Sequence, residues 1–436
     1  MEMRPVPRRR LALAAGVVVL LAGCTATESA DPEPESEGGL ALTIETAEPL
    51  WTYTLPGDAG VATTAHRIGT VTAVHASDAI IGLGDTGEEL WRFDEATTSV
   101  DVLDGYLIAD TGATHTAIAA DTGEPAADID SSGTGFVYGG VAVIPTADGV
   151  AGWHPDTGTV WQANLPDSAL VPWAGHRTGR WSQADQNLAG ASGRVLVSYT
   201  EAGESMLAAI DPRTGDVTGT HPAPAGNLWQ VSADGYVTWS ADIDTVQCAT
   251  ELAGHDIDTG ETVWGVQLSL FAYAGHDMVC PETVDAEPVL SGGRLLGGHV
   301  DQQGVMIDAG NGEATRVPPG GLPVAFADGV VVTRSDDGLG PATALHDAET
   351  LWTLELPVIE APDAMAAGYG CFAATHAHID DHTGHDHDGP EPEAETVFAG
   401  LDADGPALLA DGRLIDLNAE ALVTATSTEV HAYALP

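Results

Sequence analysis

A tight turn, Asp followed by Thr-Gly and flanked by apolar strands, returns along the whole chain, and no other feature restricts the fold as much. Clear copies are IIGLGDTGEELWRF, AIAADTGEPAADI, GWHPDTGTVWQANL, AAIDPRTGDVTGT and HDIDTGETVWGVQL; weaker ones are MIDAGNGEATRV, ALHDAETLWTLEL and VFAGLDADGPALL. The turn glycines Gly87, Gly123, Gly158, Gly215, Gly260 and Gly312 stand 35 to 57 residues apart, which suits one small antiparallel sheet per repeat with loops of variable length. Glycine supplies the positive φ of a tight turn, and Asp or Thr before it accepts backbone N–H groups. The flanks alternate in β-branched and aromatic residues, as half-buried strands do. Trp91, Trp161, Trp264 and Trp352 follow the turn at a nearly constant offset, where a large ring can dock on the next sheet and seal the seam. Further strands are expected ahead of the turns, as in GYLIAD, GRVLVSY, GRLLGGHV and DGVVVTR. Past the leader nothing has the period of a long amphipathic helix, so the class is all-β.

The two ends complement each other. The chain closes on EVHAYALP, a strand with no Trp strand after it, and the folded part opens on EPLWTYTLP, a Trp strand with no partner before it. Joined, they make one complete unit in which Trp51 plays the part of the other tryptophans. A closed ring removes exposed sheet edges this way, whereas a solenoid would carry capping repeats. The repeats number seven to nine depending on how 366–428 is divided, and eight four-stranded blades are expected. The pattern resembles the PQQ-type β-propeller repeat, whose hallmark is a segment like Ala-Leu-Asp-x-x-Thr-Gly-x-x-x-Trp. The resemblance runs over residues 48–436, with several copies lacking the Trp or the Thr-Gly.

Residues 1–23 read as a leader. Arg4, Arg8, Arg9 and Arg10 precede an apolar run from Leu11 to Leu21 that is short for a bilayer span, and Leu21-Ala22-Gly23-Cys24 ends it. This ending resembles the lipobox of bacterial lipoproteins, which implies cleavage and lipid attachment at Cys24, with two acyl chains for stable anchoring. Residues 24–47 are polar, acidic and interrupted by Pro and Gly, and are expected to form a disordered tether. The propeller is expected to fill 48–436, with a His- and acid-rich loop inserted at 375–395.

All 14 basic residues are arginine, against 65 acids, for a net charge of −51. Such a field repels nucleic acid and anionic lipid headgroups and favours cations or basic partners. Outside the cytoplasm a disulfide can form, and Cys248–Cys280 is the candidate pair; pairing of either with Cys371 stays open.

Three function classes compete. The resemblance to quinoprotein enzymes implies a dehydrogenase, yet adjacent cysteines are missing and cations to hold a quinone's carboxylates are scarce. No serine sits in a nucleophile-elbow pattern, and no catalytic residue is assigned. A second class rests on His376, His378, His382, His385 and His387, interleaved with Asp380, Asp381, Asp386 and Asp388, which could hold a divalent transition metal such as Zn, Cu or Ni. No other cofactor is expected. The third class is a binding or scaffolding module, because a lipid-tethered disc without catalytic residues is similar to the propeller lipoproteins of outer-membrane assembly. That reading implies a monomer facing outside the cytoplasm, with the membrane and a protein or cell-envelope component as partners. Trp153, Trp173, Trp181, Trp229 and Trp239 read as blade core or loop anchors, and 176–181 as an inter-blade loop.

Overall fold

The computed structural model describes residues 40–436 except 113, 139, 172–179, 183–192, 225–226, 232–234, 243–248, 270–271, 275–276, 280–288, 292–293, 301–302, 309, 318–321, 328, 335–341, 347–348, 355–363, 378–393 and 403–404. Among the described residues the strands pair into nine four-stranded antiparallel units, one more than the eight expected. In chain order they are blade 1 (62–93), blade 2 (99–130), blade 3 (136–163), blade 4 (169–222), blade 5 (227–269), blade 6 (289–316), blade 7 (322–354), blade 8 (364–411) and blade 9 (413–434 with 51–54). Blades 5 and 6 are also joined to each other through a Ser269↔His299 pair. The eight repeat copies account for blades 1 to 8, and the shared terminal unit adds the ninth.

Closure by the chain ends is as expected. Glu429–Ala434 is the third strand of blade 9 and pairs with Trp51–Thr54, the fourth, in the register Trp51↔Ala432 and Thr54↔Glu429. First strands of successive blades neighbour one another through blades 7, 8, 9 and 1, which sets them on the inside of the ring and the fourth strands at its rim.

The turns form as the residue types dictate. The six repeat glycines have φ between +69° and +80°. Asp256 Oδ1 accepts from the Asp258 and Thr259 amides at 3.1 and 2.8 Å, and Asp308 Oδ1 from Gly310 N at 2.9 Å. These side chains stand in for backbone carbonyls and hold the chain reversal.

The core lies in the seams rather than in one centre. Buried clusters bridge blades 9 and 1 (Val430, Val423, Val74, Ile81), 1 and 2 (Ile80, Trp91, Leu107, Ile118) and 2 and 3 (Ile108, Ala117, Ile144, Trp153). Others bridge 3 and 4, 4 and 5, 6 and 7, 7 and 8, and 8 and 9.

Tryptophans stand at the seams between blades. Trp91 donates Nε1–H to Ala120 O of blade 2 at 2.8 Å, and Trp161 donates to Pro212 O of blade 4 at 2.7 Å. Each ring is gripped between two glycines. A Cβ on Gly82 of its own blade would stand 2.1 Å from the Trp91 ring, and one on Gly123 of the next blade 2.5 Å away. Gly152 and Gly215 grip Trp161 in the same way, and Gly254 and Gly312 grip Trp264. Trp51 lies against Gly87, so the closing seam follows the same rule. Trp352 is fully buried beside Phe372, and among the described residues its Nε1 has no hydrogen-bond partner.

Two segments depart from the expected layout. Residues 40–47 belong to the stretch expected to be a disordered tether, yet Leu40–Ala41 pairs in parallel with the outer strand of blade 7 and Ile44–Thr46 with that of blade 8. Leu42 N donates to Thr353 O (2.9 Å), Ala47 N to Leu409 O (2.8 Å) and Ala407 N to Thr43 O (2.9 Å). The physical reason is that outer strands offer unpaired backbone groups, which an alternating segment such as LALTIETA can satisfy. The second segment is Arg180–Ser182. It leaves blade 4 between that blade's first and second strands and pairs in parallel with Ala364–Gly368, the first strand of blade 8. It therefore reaches across the ring, instead of lying between neighbouring blades.

Candidate functional site

Titratable groups buried in this ring belong to its seams. His75 is held by Thr97, whose Oγ1 lies 2.8 Å from Nε2, and burial lowers its pKa. His115 Nε2 accepts from Gly135 N at 3.1 Å, and burial again lowers its pKa. Between blades 4 and 5, His221 takes the place of the missing tryptophan against Gly260. It stacks on Tyr236 at 5.8 Å, and Tyr236 stacks on His255 at 4.8 Å. Burial, with the neighbouring His221, lowers the His255 pKa. Asp416, on the first strand of blade 9, is the exception in sign: burial pushes its carboxyl up to about 7, against a hydrogen bond from Asn418 Nδ2 at 2.7 Å.

The described arginines with resolved ion pairs act as clamps. Arg67 of blade 1 holds Asp85 and, at 2.9 Å, Glu420 of blade 9. Arg92 holds Asp58 at 3.0 Å and Asp94. Arg194 of blade 4 reaches Asp258 of blade 5 at 3.3 Å.

Of the residues singled out in the sequence, Cys24, Cys248 and Cys280 lie outside the described residues, as do His378, His382, His385, His387, Asp380, Asp381, Asp386 and Asp388. His376 lies on Cys371–Ala377 opposite Glu395, one pair from the last described pair Ala377↔Ala394. Among the described residues no group of three or more His, Cys, Asp or Glu is placed to hold a metal. Among the described residues Cys371 has no disulfide partner; it is buried, with its Sγ 3.5 Å from Phe372 O and its thiol pKa pushed up to about 12 by burial. Trp153 is seam core as expected.

A surface feature escaped the sequence reading. Strand alternation turns the residue before each docking tryptophan the opposite way, toward the rim. Leu50, Leu90, Val160 and Val263 are accordingly exposed at 61, 49, 48 and 63 %, and Val217 of blade 4 at 45 %. Leu351, before Trp352, is instead partly covered. The signal was present as repeated Leu-Trp and Val-Trp pairs.

Residues 35–264 match the model of a family described as the outer membrane protein assembly factor BamB. The chain belongs to this family. No curated protein matches it. Among solved structures, BamB from Moraxella catarrhalis is 13 % identical, with 89 % of this chain and all of that one covered, at a TM-score of 0.41. The quinohemoprotein alcohol dehydrogenase from Comamonas testosteroni is 14 % identical, with 85 and 78 % covered, at 0.40. Membership in the BamB family rests on the sequence match; both structures are distant.

The propeller repeat also raises a quinone cofactor, whose several carboxylates would need cations free to meet them. Among the described arginines, Arg67, Arg92 and Arg194 are each held between carboxylates, while Arg213 and Arg413 are exposed.

Proposed function

We propose that this BamB-family propeller is a binding or scaffolding module without catalytic function, lipid-tethered through Cys24 and facing outside the cytoplasm. The observation that carries the reading is the family match on a ring closed by its own ends. The buried histidines are consistent with it, because His75, His115 and His255 are committed to contacts at the seams. Photo-cross-linking from loop positions of the full-length chain in its own envelope tests the module. Discrete protein adducts are expected, and their absence at every position sinks it. Radiolabelled palmitate should enter the wild type and not Cys24→Ser.

A second reading has a specific observation behind it: five histidines fall within 376–387, at and beyond the end of one hairpin. Neutral imidazoles interleaved with carboxylates suit Zn, Cu or Ni. Zinc titration by calorimetry, with and without residues 378–388, separates the readings. Micromolar binding lost on deletion supports metal capture, and no heat ends it.

A further inference from the structure

Among the described residues the rim of this ring carries one run of consecutive blade edges that is covered and another that is not. Residues 40–54 run along the outer strands of blades 7 and 8 and then become the outer strand of blade 9. Leu42 packs against the seam cluster of blades 7 and 8, and Ala47 against that of blades 8 and 9. The chain itself thus shows how these edges are covered: a parallel extended segment pairs its backbone with the outer strand and sets a small or aliphatic side chain into the rim groove.

Blades 3, 4 and 5 form a second consecutive run. Their outer strands are Gly158–Ala163, Val217–Pro222 and Thr262–Ser269. Among the described residues the first two have no outer neighbour, and the third pairs with blade 6 only at Ser269. Each exposes an aliphatic residue, Val160, Val217 or Val263. Blade 2 makes a contrast. Its outer strand, Pro125–Asp130, shows solvent Pro125, Asp128 and Asp130, the devices that keep an edge from pairing. The outer strands of blades 3 and 5 carry neither a proline nor an acid, and that of blade 4 carries only Pro222 at its end.

We propose that the rim of blades 3 to 5 docks an extended segment of a partner protein, rich in alternating aliphatic and basic residues, by parallel strand addition. Backbone pairing supplies the affinity and the valines select side chains, as in other strand-addition complexes. Charge selects the basic partner. The chain carries −51, and exposed Asp156, Asp216 and Glu261 flank the three edges. The same charge argues against a second copy of this chain as the occupant.

The inference rests on the binding-module reading and can fail separately from it. The probe is a fifteen-residue peptide alternating valine and lysine, titrated by fluorescence anisotropy against the full-length protein. A glycine–lysine peptide of the same charge is the control. Val160→Asn, Val217→Asn and Val263→Asn combined leave the charge unchanged and touch only exposed side chains. Saturable binding is expected, at least about ten-fold weaker for the control peptide and for the triple variant. Equal binding of the two peptides, an unaffected triple variant, or no binding up to about 1 mM overturns the proposal. Should the loop-derived adducts persist in that case, the module stands without its rim site.

Discussion

At the scale of single residues, the seams work as a socket in which a tryptophan ring fills the space left by two absent side chains. Gly123 combines both demands, with φ of +72° and a Trp91 ring 2.5 Å from where a Cβ would stand. Gly123→Ala should therefore destabilise the protein by about 2–4 kcal/mol, summing left-handed strain and overpacking. Alanine at the exposed Gly158 turn, whose Cβ would meet nothing within 4 Å, should cost only the strain. Urea midpoints of the two variants check this, and an equal cost would remove the socket. Asp416 gives a prediction in pH. Its folded pKa, about 7, lies above the ordinary 3.8, so its contribution to stability is whole below about pH 4 and is lost as pH rises through 7. The difference in unfolding free energy between wild type and Asp416→Asn should drift against the wild type over that window, by at most about 1.4 kcal/mol per pH unit. His75, His115 and His255 act oppositely, since their lowered pKa values remove stability below about pH 6.5, and they cancel in this difference. A flat difference would show that Asp416 titrates normally.

The scale of strands and turns is where sequence and structure part company. The Asp-Thr-Gly turns and Trp strands were legible because each is local: a residue type, a φ sign and an alternation lie within ten residues. The pairing of 40–47 was not. Its partners are more than 300 residues away, and its acidic, short and weakly alternating sequence reads like the tether before it. Arg180–Ser182 was hidden for the same reason, since a three-residue strand takes its identity from the edge it meets. The blade count slipped at 366–428, a span that holds most of blade 8 and the first two strands of blade 9. Burial of Asp416 left no trace either, because RLIDL reads equally well with the carboxylate in water. If residues 40–47 are held as described, Leu42→Asp sets a charge against the cluster of blades 7 and 8 and should peel them away. A loss of about 1–2 kcal/mol is expected. Faster hydrogen exchange at Ala407 N, which donates to Thr43 O, is its local signature. Unchanged protection there would mean that the segment does not hold that edge.

For the whole molecule, closure and charge pull in opposite directions. Glu429–Ala434 pairs on both sides and buries Val430, Ala432 and Tyr433, so every seam depends on one terminal strand to complete the ring. A net charge of −51 pushes the same ring apart. The described arginine clamps set against it are each partly exposed: the Arg67, Arg92 and Arg194 side chains are 17, 18 and 30 % exposed. Pairs of that kind contribute about 0–1 kcal/mol apiece, too little to offset a field of many like charges at low salt. Raising ionic strength from about 0.01 to 0.15 M shortens the Debye length from about 30 to 8 Å, which screens distant repulsion strongly and close pairs weakly. The melting temperature should therefore rise with sodium chloride over this range. Removing residues 429–436 should abolish the cooperative melt at any salt, because screening cannot replace a missing strand. A melting temperature that falls with salt would mean that the arginine clamps, and not self-repulsion, dominate the electrostatics of the ring.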